Sequence, residues 1–180
     1  LNLFIEAGLK AGHKAIVHAG ASGVGTTAIQ LCKAFGVSSF VTVGSKDKLR
    51  DCIEFGASGG FNRHDGSFLE AAKTFAGESG VDVILDPVGA GYLSDNLALL
   101  GLGGRLVLIG LMGGIKAELD LAQLMMKRAR IIGSTLRTRP VTEKALVMAQ
   151  LEEKVWPKIT SHEIQPIIEA VFPITEIADA

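Results

Sequence analysis

The chain has 180 residues and a mass of 18.9 kDa, with 18 Lys and Arg against 19 Asp and Glu, 48% hydrophobic positions and two cysteines. Area scaling lets about 70% of the extended surface of such a chain be buried, enough for one well-packed domain. A formal charge of -1 supplies no basic field for phosphate backbones or anionic lipids, so neither nucleic acid nor a membrane surface is expected as a partner.

Residues 1–12 read as a short helix with no evident partner, and they lack the basic region, apolar run and cleavage pattern of a signal peptide. A short β-branched run, a glycine and a helical stretch then recur, the pattern of parallel strands joined by crossover helices. Strands are predicted at 15–19, 40–43, 60–62, 81–85, 106–109 and 129–132. All but the third are near-continuous apolar runs, as strands covered on both faces should be. Helices are predicted over 24–35, 46–55, 67–75, 91–100, 119–127 and 142–156. In the first of these, Ala28, Leu31, Ala34 and Phe35 make an apolar stripe at helical spacing. The stretch 97–114 is too interrupted by Arg105 and six glycines to cross a membrane. Near the end, Pro173, Thr175 and Glu176 read as the entry to a further helix, and with no initiator Met the chain is expected to be a piece of a longer protein. The pattern predicts an α/β fold of three α/β/α layers: a doubly wound six-stranded parallel sheet, or Rossmann fold, whose ligand crevice lies beyond the carboxyl ends of the strands.

Cys32 and Cys52 stand alone, without a CxxC pair or clustered histidines, so neither a disulfide framework nor a metal site is expected. Reduced cytoplasmic thiols are the simplest reading.

Directly after the first strand comes Gly20-Ala21-Ser22-Gly23-Val24-Gly25-Thr26-Thr27-Ala28, in which Gly23, Gly25 and Ala28 satisfy GxGxxG/A. Small residues allow a tight turn, a close approach of backbone to a pyrophosphate and tight helix packing. The free N–H groups and the dipole of the following helix favour an anion there. No GK[ST] follows, so a Walker-type loop is excluded. The end of the second strand decides which dinucleotide is expected. An NAD site usually has a carboxylate there for the ribose 2′-hydroxyl. Here Gly44 and Ser45 leave room for a 2′-phosphate, Lys46, Lys48 and Arg50 follow, and Arg63 can approach from the third strand. NADP(H) is the expected cofactor, with Asp47 a minor objection.

Other residues carry weaker signals. His18 reads as a core or turn-packing histidine, and His13, His64 and His162 as surface residues. Asp86, before Pro87, reads as a cap of the next turn. Arg137 and Arg139 are candidates to reach the cleft or a partner subunit, and Leu124-Met125-Met126 reads as core or dimer interface.

Together these stretches resemble the zinc-independent quinone oxidoreductases of the medium-chain dehydrogenase/reductase superfamily, the zeta-crystallin-like group, and within it the p53-inducible reductase branch. The matching residues are the 18–25 turn, Gly44-Ser45 with Lys48, Phe55-Gly56-Ala57, Gly60-Phe61-Asn62, Asp86 with Val88-Gly89, Gly110-Leu111-Met112-Gly113-Gly114, and Leu136-Arg137 with Arg139. The resemblance implies that the turn from Ala21 to Gly25, with Ser22, Gly23 and Val24 at its centre, holds the pyrophosphate. It implies further that Lys48 contacts the 2′-phosphate, and that Val88, Gly110 and Leu111 flank the nicotinamide ribose and ring. The family usually has Tyr after the residue matching Asn62, and this chain has Arg63, whose guanidinium can stack and pair with phosphate. The resemblance also implies a homodimer joined through sheet edges and a second, GroES-like domain that completes the cleft. The 180 residues are then the NADPH-binding half of a quinone or enone reductase, inactive by themselves. The enoyl reductase of a fatty-acid or polyketide assembly line, and a non-catalytic NADPH-sensing module, remain alternatives.

Overall fold

The computed structural model describes residues 1–168 and 170–178. Six parallel strands form one sheet: β1 (Lys14–Val17), β2 (Ser38–Val43), β3 (Gly59–Asn62), β4 (Val81–Asp86), β5 (Leu100–Leu108) and β6 (Arg130–Gly133). Their order is β3-β2-β1-β4-β5-β6, with Ile16 beside both Phe40 and Ile84, and Leu106 beside Ile131. This is the expected doubly wound Rossmann sheet, and its order reverses between β1 and β4.

Alternation along the strands divides the interior into two cores. Ala15, Val17, Val41, Val83 and Leu85 face α1 (Gly23–Ala34) and α2 (Lys46–Glu54). On the other face, Ile16, Phe40, Ile84 and Leu106 meet α3 (Leu69–Ala76) and α4 (Leu93–Leu99), which supply Ala72, Ala76, Leu97 and Leu99. Each fully buried aliphatic side chain stabilises the fold by about 1.5–3 kcal/mol. Cys32 and Cys52 are free, buried thiols in the first core, and burial pushes their pKa values up to about 12 and about 11.

The remaining helices are α5 (Leu121–Met126), α6 (Val141–Lys154) and α7 (Trp156–Thr160). The helix predicted over 142–156 breaks at Val155, where Pro157 starts a new turn because proline is tolerated only at a helix N-terminus. Strand β5 begins at Leu100 rather than at 106, because the ladder shifts register between the Val81–Leu100 and Val83–Arg105 pairs and absorbs the glycines. At the chain start, Asn2–Glu6 is one π-helical turn, and it has a partner: Leu3, Ala7 and Leu9 are buried in the first core. Its polar side is tied down by Ser134, whose Oγ donates to Asn2 Oδ1 at 2.7 Å, and by an Arg139–Glu6 ion pair at 2.6 Å. The expected helix entry at 173–176 is a single 3-10 turn, Ile174–Glu176. Among the described residues no helix is long and apolar enough to cross a membrane.

A dinucleotide crevice at the switch point

The crevice opens where the sheet order reverses. Ala19, Ala21 and Ser22 after β1, Thr42, Val43 and Gly44 at the end of β2, and Arg63 after β3 line it with Lys48, Val88, Tyr92 and Met112. Its volume is about 240 Å³. The structure therefore brings together Ala21, Ser22, Gly44, Lys48, Arg63 and Val88 from separate loops. Gly23, Val24, Gly25, Ser45, Gly110 and Leu111 adjoin these residues without lining the cavity itself.

The glycines of the elbow are not alike. Gly23 has open space where a Cβ would sit, whereas a Cβ on Gly25 would collide with the carbonyl oxygens of Ala19 and Gly20, and one on Gly20 would lie 2.7 Å from Val41 Cβ. The close-approach positions are thus Gly20 and Gly25, with Ser22 between them. Gly23 opens the helix, and Ala28 is a core residue of α1. Ala19 adopts φ 53°, a left-handed conformation costly for a residue with a Cβ, and it ends β1 two residues earlier than predicted. Ser22 caps α1, its Oγ accepting from Gly25 N at 3.0 Å. That bond engages the Gly25 amide, while the Gly23 and Val24 amides, in the first turn, have no acceptor within the helix.

Gly44 lies under the cationic rim. A Cβ added there would be 3.8 Å from Arg63 Nε and Nη2. Ser45 is turned to capping α2, its Oγ accepting from Lys48 N at 3.2 Å. Asp47 pairs with Arg50 at 3.2 Å, both side chains exposed, and neither lines the crevice.

A buried polar line supports the floor. Asp86 Oδ1 accepts from Val88 N at 2.6 Å and Gly89 N at 3.1 Å, so it caps its turn as expected. Asn96 Nδ2 donates to Asp86 Oδ2 at 3.0 Å, and Asn96 Oδ1 faces His18 Nε2 at 2.8 Å. His18 Nδ1 lies 3.0 Å from Thr42 Oγ1. Desolvation lowers the pKa of His18 to about 4, opposed by the hydrogen bond to Asn96, so the ring is neutral. Desolvation raises that of Asp86, opposed by its three hydrogen bonds. Pro87 O and Val88 O accept from Met112 N at 3.2 Å and Gly113 N at 2.7 Å, lacing the loops after β4 and β5 together. Gly110 serves this lacing, since a Cβ there would sit 2.8 Å from Pro87 O. Val24, Leu111 and Met112 remain exposed.

One expectation changes. Arg139 is committed to Glu6, to Glu143 at 3.1 Å and to Thr135 O at 3.0 Å, so it holds the chain start rather than the crevice. Of the stretch read as core or dimer interface, Leu124 packs against the second core, while Met125 and Met126 are 70% and 74% exposed. His13, read as a surface residue, is part-exposed and lies 3.9 Å from Asp82. Ala19, Thr42, Val43, Tyr92 and Met112 line the crevice as well, beyond the residues expected from the sequence. The position of Thr42 near a strand end was the only local signal for it.

The fold and this crevice define the nucleotide-binding part of a medium-chain dehydrogenase/reductase. Residues 23–152 match the model of the zinc-binding dehydrogenase family, and the chain belongs to that family. It is 30% identical to human quinone oxidoreductase over 181 aligned residues, covering 99% of this chain and 52% of that protein. The chain thus spans about half the length of the curated relatives it matches. Among solved structures, the quinone oxidoreductase of Thermus thermophilus, determined also in complex with NADPH, superposes with a TM-score of 0.81 at 28% identity, covering 98% of this chain and 55% of that one. CurK enoyl reductase gives 0.78 at 27%, covering 99% and 53%. The zinc in the family's description has no fitting site here: among the described residues no three His, Cys, Asp or Glu side chains could hold a metal ion together.

Proposed function

We propose that the chain is the cofactor-binding half of a zinc-independent, NADPH-dependent quinone or enone reductase. One observation carries the reading: the end of β2 has no carboxylate, the Arg63 guanidinium lies 3.8 Å from where a Cβ on Gly44 would sit, and Lys48 lines the same crevice. A carboxylate there would repel a 2′-phosphate, while a guanidinium and an ammonium pair with it. The residues fit the cofactor elsewhere too, because Gly20 and Gly25 keep the elbow clear and the Gly23 and Val24 amides offer donors for a pyrophosphate.

When bound, NADPH supplies a hydride from nicotinamide C4. Ala21, Ser22, Gly23 and Val24 would hold the pyrophosphate, Lys48 and Arg63 the 2′-phosphate, and Val88, Gly110 and Leu111 the nicotinamide side. The Asp86 turn keeps Val88 and Gly89 in place, and the exposed Val24, Leu111 and Met112 exclude water when a second wall closes over them. That wall would be a GroES-like domain outside these 180 residues. An accessible surface of 10691 Å², against about 8,300 Å² for a compact chain of this mass, supports a further covering partner. The isolated domain would bind NADPH with little or no turnover.

The electron acceptor is a small quinone or enone, with no role for nucleic acid or membrane at a net charge of -1. A homodimer through the outer edge of β6 fits that strand's exposed border and the exposed Met125 and Met126. The buried free thiols suit a reducing, cytoplasmic setting. The likeness to CurK favours an enoyl reductase of an assembly line as the second reading.

Calorimetric titration tests the cofactor claim. NADPH should bind at least about tenfold tighter than NADH, the equivalent of one charge-assisted contact. Equal affinities would remove it. Assay of the complete protein against quinones, enones and carrier-bound enoyl thioesters separates the two enzyme readings.

A further inference from the structure

Tyr92 lines the crevice, yet it has no role in the reading above. It is the single tyrosine of the chain. The residue ends the 3-10 turn Ala90–Tyr92 after β4, and its N–H donates to Gly89 O at 3.0 Å, which ties it to the turn that Asp86 caps. Two further rings brace its side chain. The Phe68 centroid lies 4.7 Å from that of Tyr92 at an interplanar angle of 54°, and the His18 centroid 4.8 Å at 58°. Both of these neighbours are buried, and His18 is fixed in turn by Asn96 and Thr42. Tyr92 itself is only half-buried, so a firmly held aromatic ring meets the open space of the crevice.

We propose that Tyr92 is the platform on which the adenine of the cofactor stacks. The inference rests on the cofactor reading above, because the base is bonded to the same ribose that carries the 2′-phosphate. With that phosphate on Lys48 and Arg63 and the pyrophosphate at the elbow, the base must stay beside the cationic rim. Tyr92 is there: it lines the same crevice as Arg63, and its hydroxyl feels the Arg63 charge. Among the described residues that line the crevice, it is the one aromatic side chain, set among the aliphatic groups of Ala19, Val43 and Val88. A purine is planar and offers a π face of any orientation to such a ring, and the stack needs no hydrogen-bond register. Because Phe68 and His18 already hold the phenol, little side-chain freedom is lost when a base settles on it.

The test is titration of the 180-residue chain with NADPH, NADH and adenosine 2′,5′-bisphosphate, as wild type, Tyr92→Leu and Tyr92→Phe. Tyr92→Leu removes the ring and should weaken all three by about fivefold to fiftyfold, since they share the base, the scale of one base–aromatic stack. Tyr92→Phe keeps the ring and should hold all three within about twofold. A second measurement separates stacking from a packing role and does not depend on Tyr92→Leu folding. In Trp156→Phe, which removes the single and exposed tryptophan, Tyr92 is the sole tyrosine or tryptophan emitter, and adenosine 2′,5′-bisphosphate should quench it along the binding curve. Saturable binding without quenching overturns the proposal, as does unchanged affinity in Tyr92→Leu. A loss confined to NADPH and adenosine 2′,5′-bisphosphate in Tyr92→Phe also overturns it, because the hydroxyl would then serve the 2′-phosphate. If wild type binds neither coenzyme, the cofactor reading fails and the proposal falls with it. Equal binding of NADPH and NADH removes the 2′-phosphate claim alone, and quenching together with the Tyr92→Leu loss would still support the platform.

Discussion

The carboxylate of Asp86 sets the tautomer of His18, although the two side chains do not touch. Asn96 stands between them. Because its Nδ2 donates to Asp86 Oδ2 at 3.0 Å, its Oδ1 must face the ring, so His18 carries its proton on Nε2, 2.8 Å away. Nδ1 is then the acceptor, and the Thr42 hydroxyl donates to it at 3.0 Å. This line runs under the crevice from the β2 end to the loop that carries Val88, and every member is satisfied.

Replacing the middle member should therefore be costly. Asn96→Leu keeps the volume but leaves a buried N–H on His18 and a buried oxygen on Asp86 without partners. A loss of about 2–4 kcal/mol is expected in urea denaturation. A loss under about 1 kcal/mol would mean that the line contributes little.

The same histidine gives a pH signature. Its pKa is about 4 in the folded chain against 6.5 in the unfolded one, so between these values the unfolded chain binds a proton that the folded chain does not. His18 thus contributes stability that is present above pH 6.5 and lost as pH falls toward 4. The loss is about 2 kcal/mol between pH 7 and pH 5. The raised pKa of Asp86 works in the opposite sense, its contribution fading as pH rises above the unfolded value. Comparing wild type with His18→Gln isolates the histidine, and parallel pH profiles would refute its part.

The elbow register is testable by two alanines. Gly23→Ala should alter stability by less than about 0.5 kcal/mol, because the space is open and alanine suits a helix start better than glycine. Gly25→Ala must displace backbone carbonyls at Ala19 and Gly20, so a loss above about 2 kcal/mol and of NADPH binding is expected. Equal tolerance at both positions would restore the register read from the GxGxxG/A pattern.

Lys48→Ala should weaken NADPH by roughly fivefold to twentyfold and leave NADH within about twofold, since only the proposed 2′-phosphate contact would be lost. If both coenzymes suffer alike, Lys48 has a structural role.

Arg139→Ala should cost about 1–2 kcal/mol, because the Glu6 pair has side chains only 21% and 23% exposed and holds the chain start against the sheet. NADPH affinity should not change. A selective loss of affinity would return Arg139 to the crevice.

The sequence by itself determined the sheet, the six strands, the elbow and the acid-free rim. Each is written locally: continuous apolar runs bury on both faces, small residues permit a turn, and a missing carboxylate is visible at one position. Only the tertiary structure decided which glycine approaches which carbonyl. Gly23 and Gly25 read alike until Ala19 and Gly20 fold back over one of them. It also placed Arg139 on Glu6, brought Tyr92 to the crevice, and ran His18 through Asn96 to Asp86, joining residues far apart in the chain. Hydrogen bonds and charges act through space over a few ångströms, so their partners are fixed by which strands become neighbours, and no local pattern in the chain carries that information.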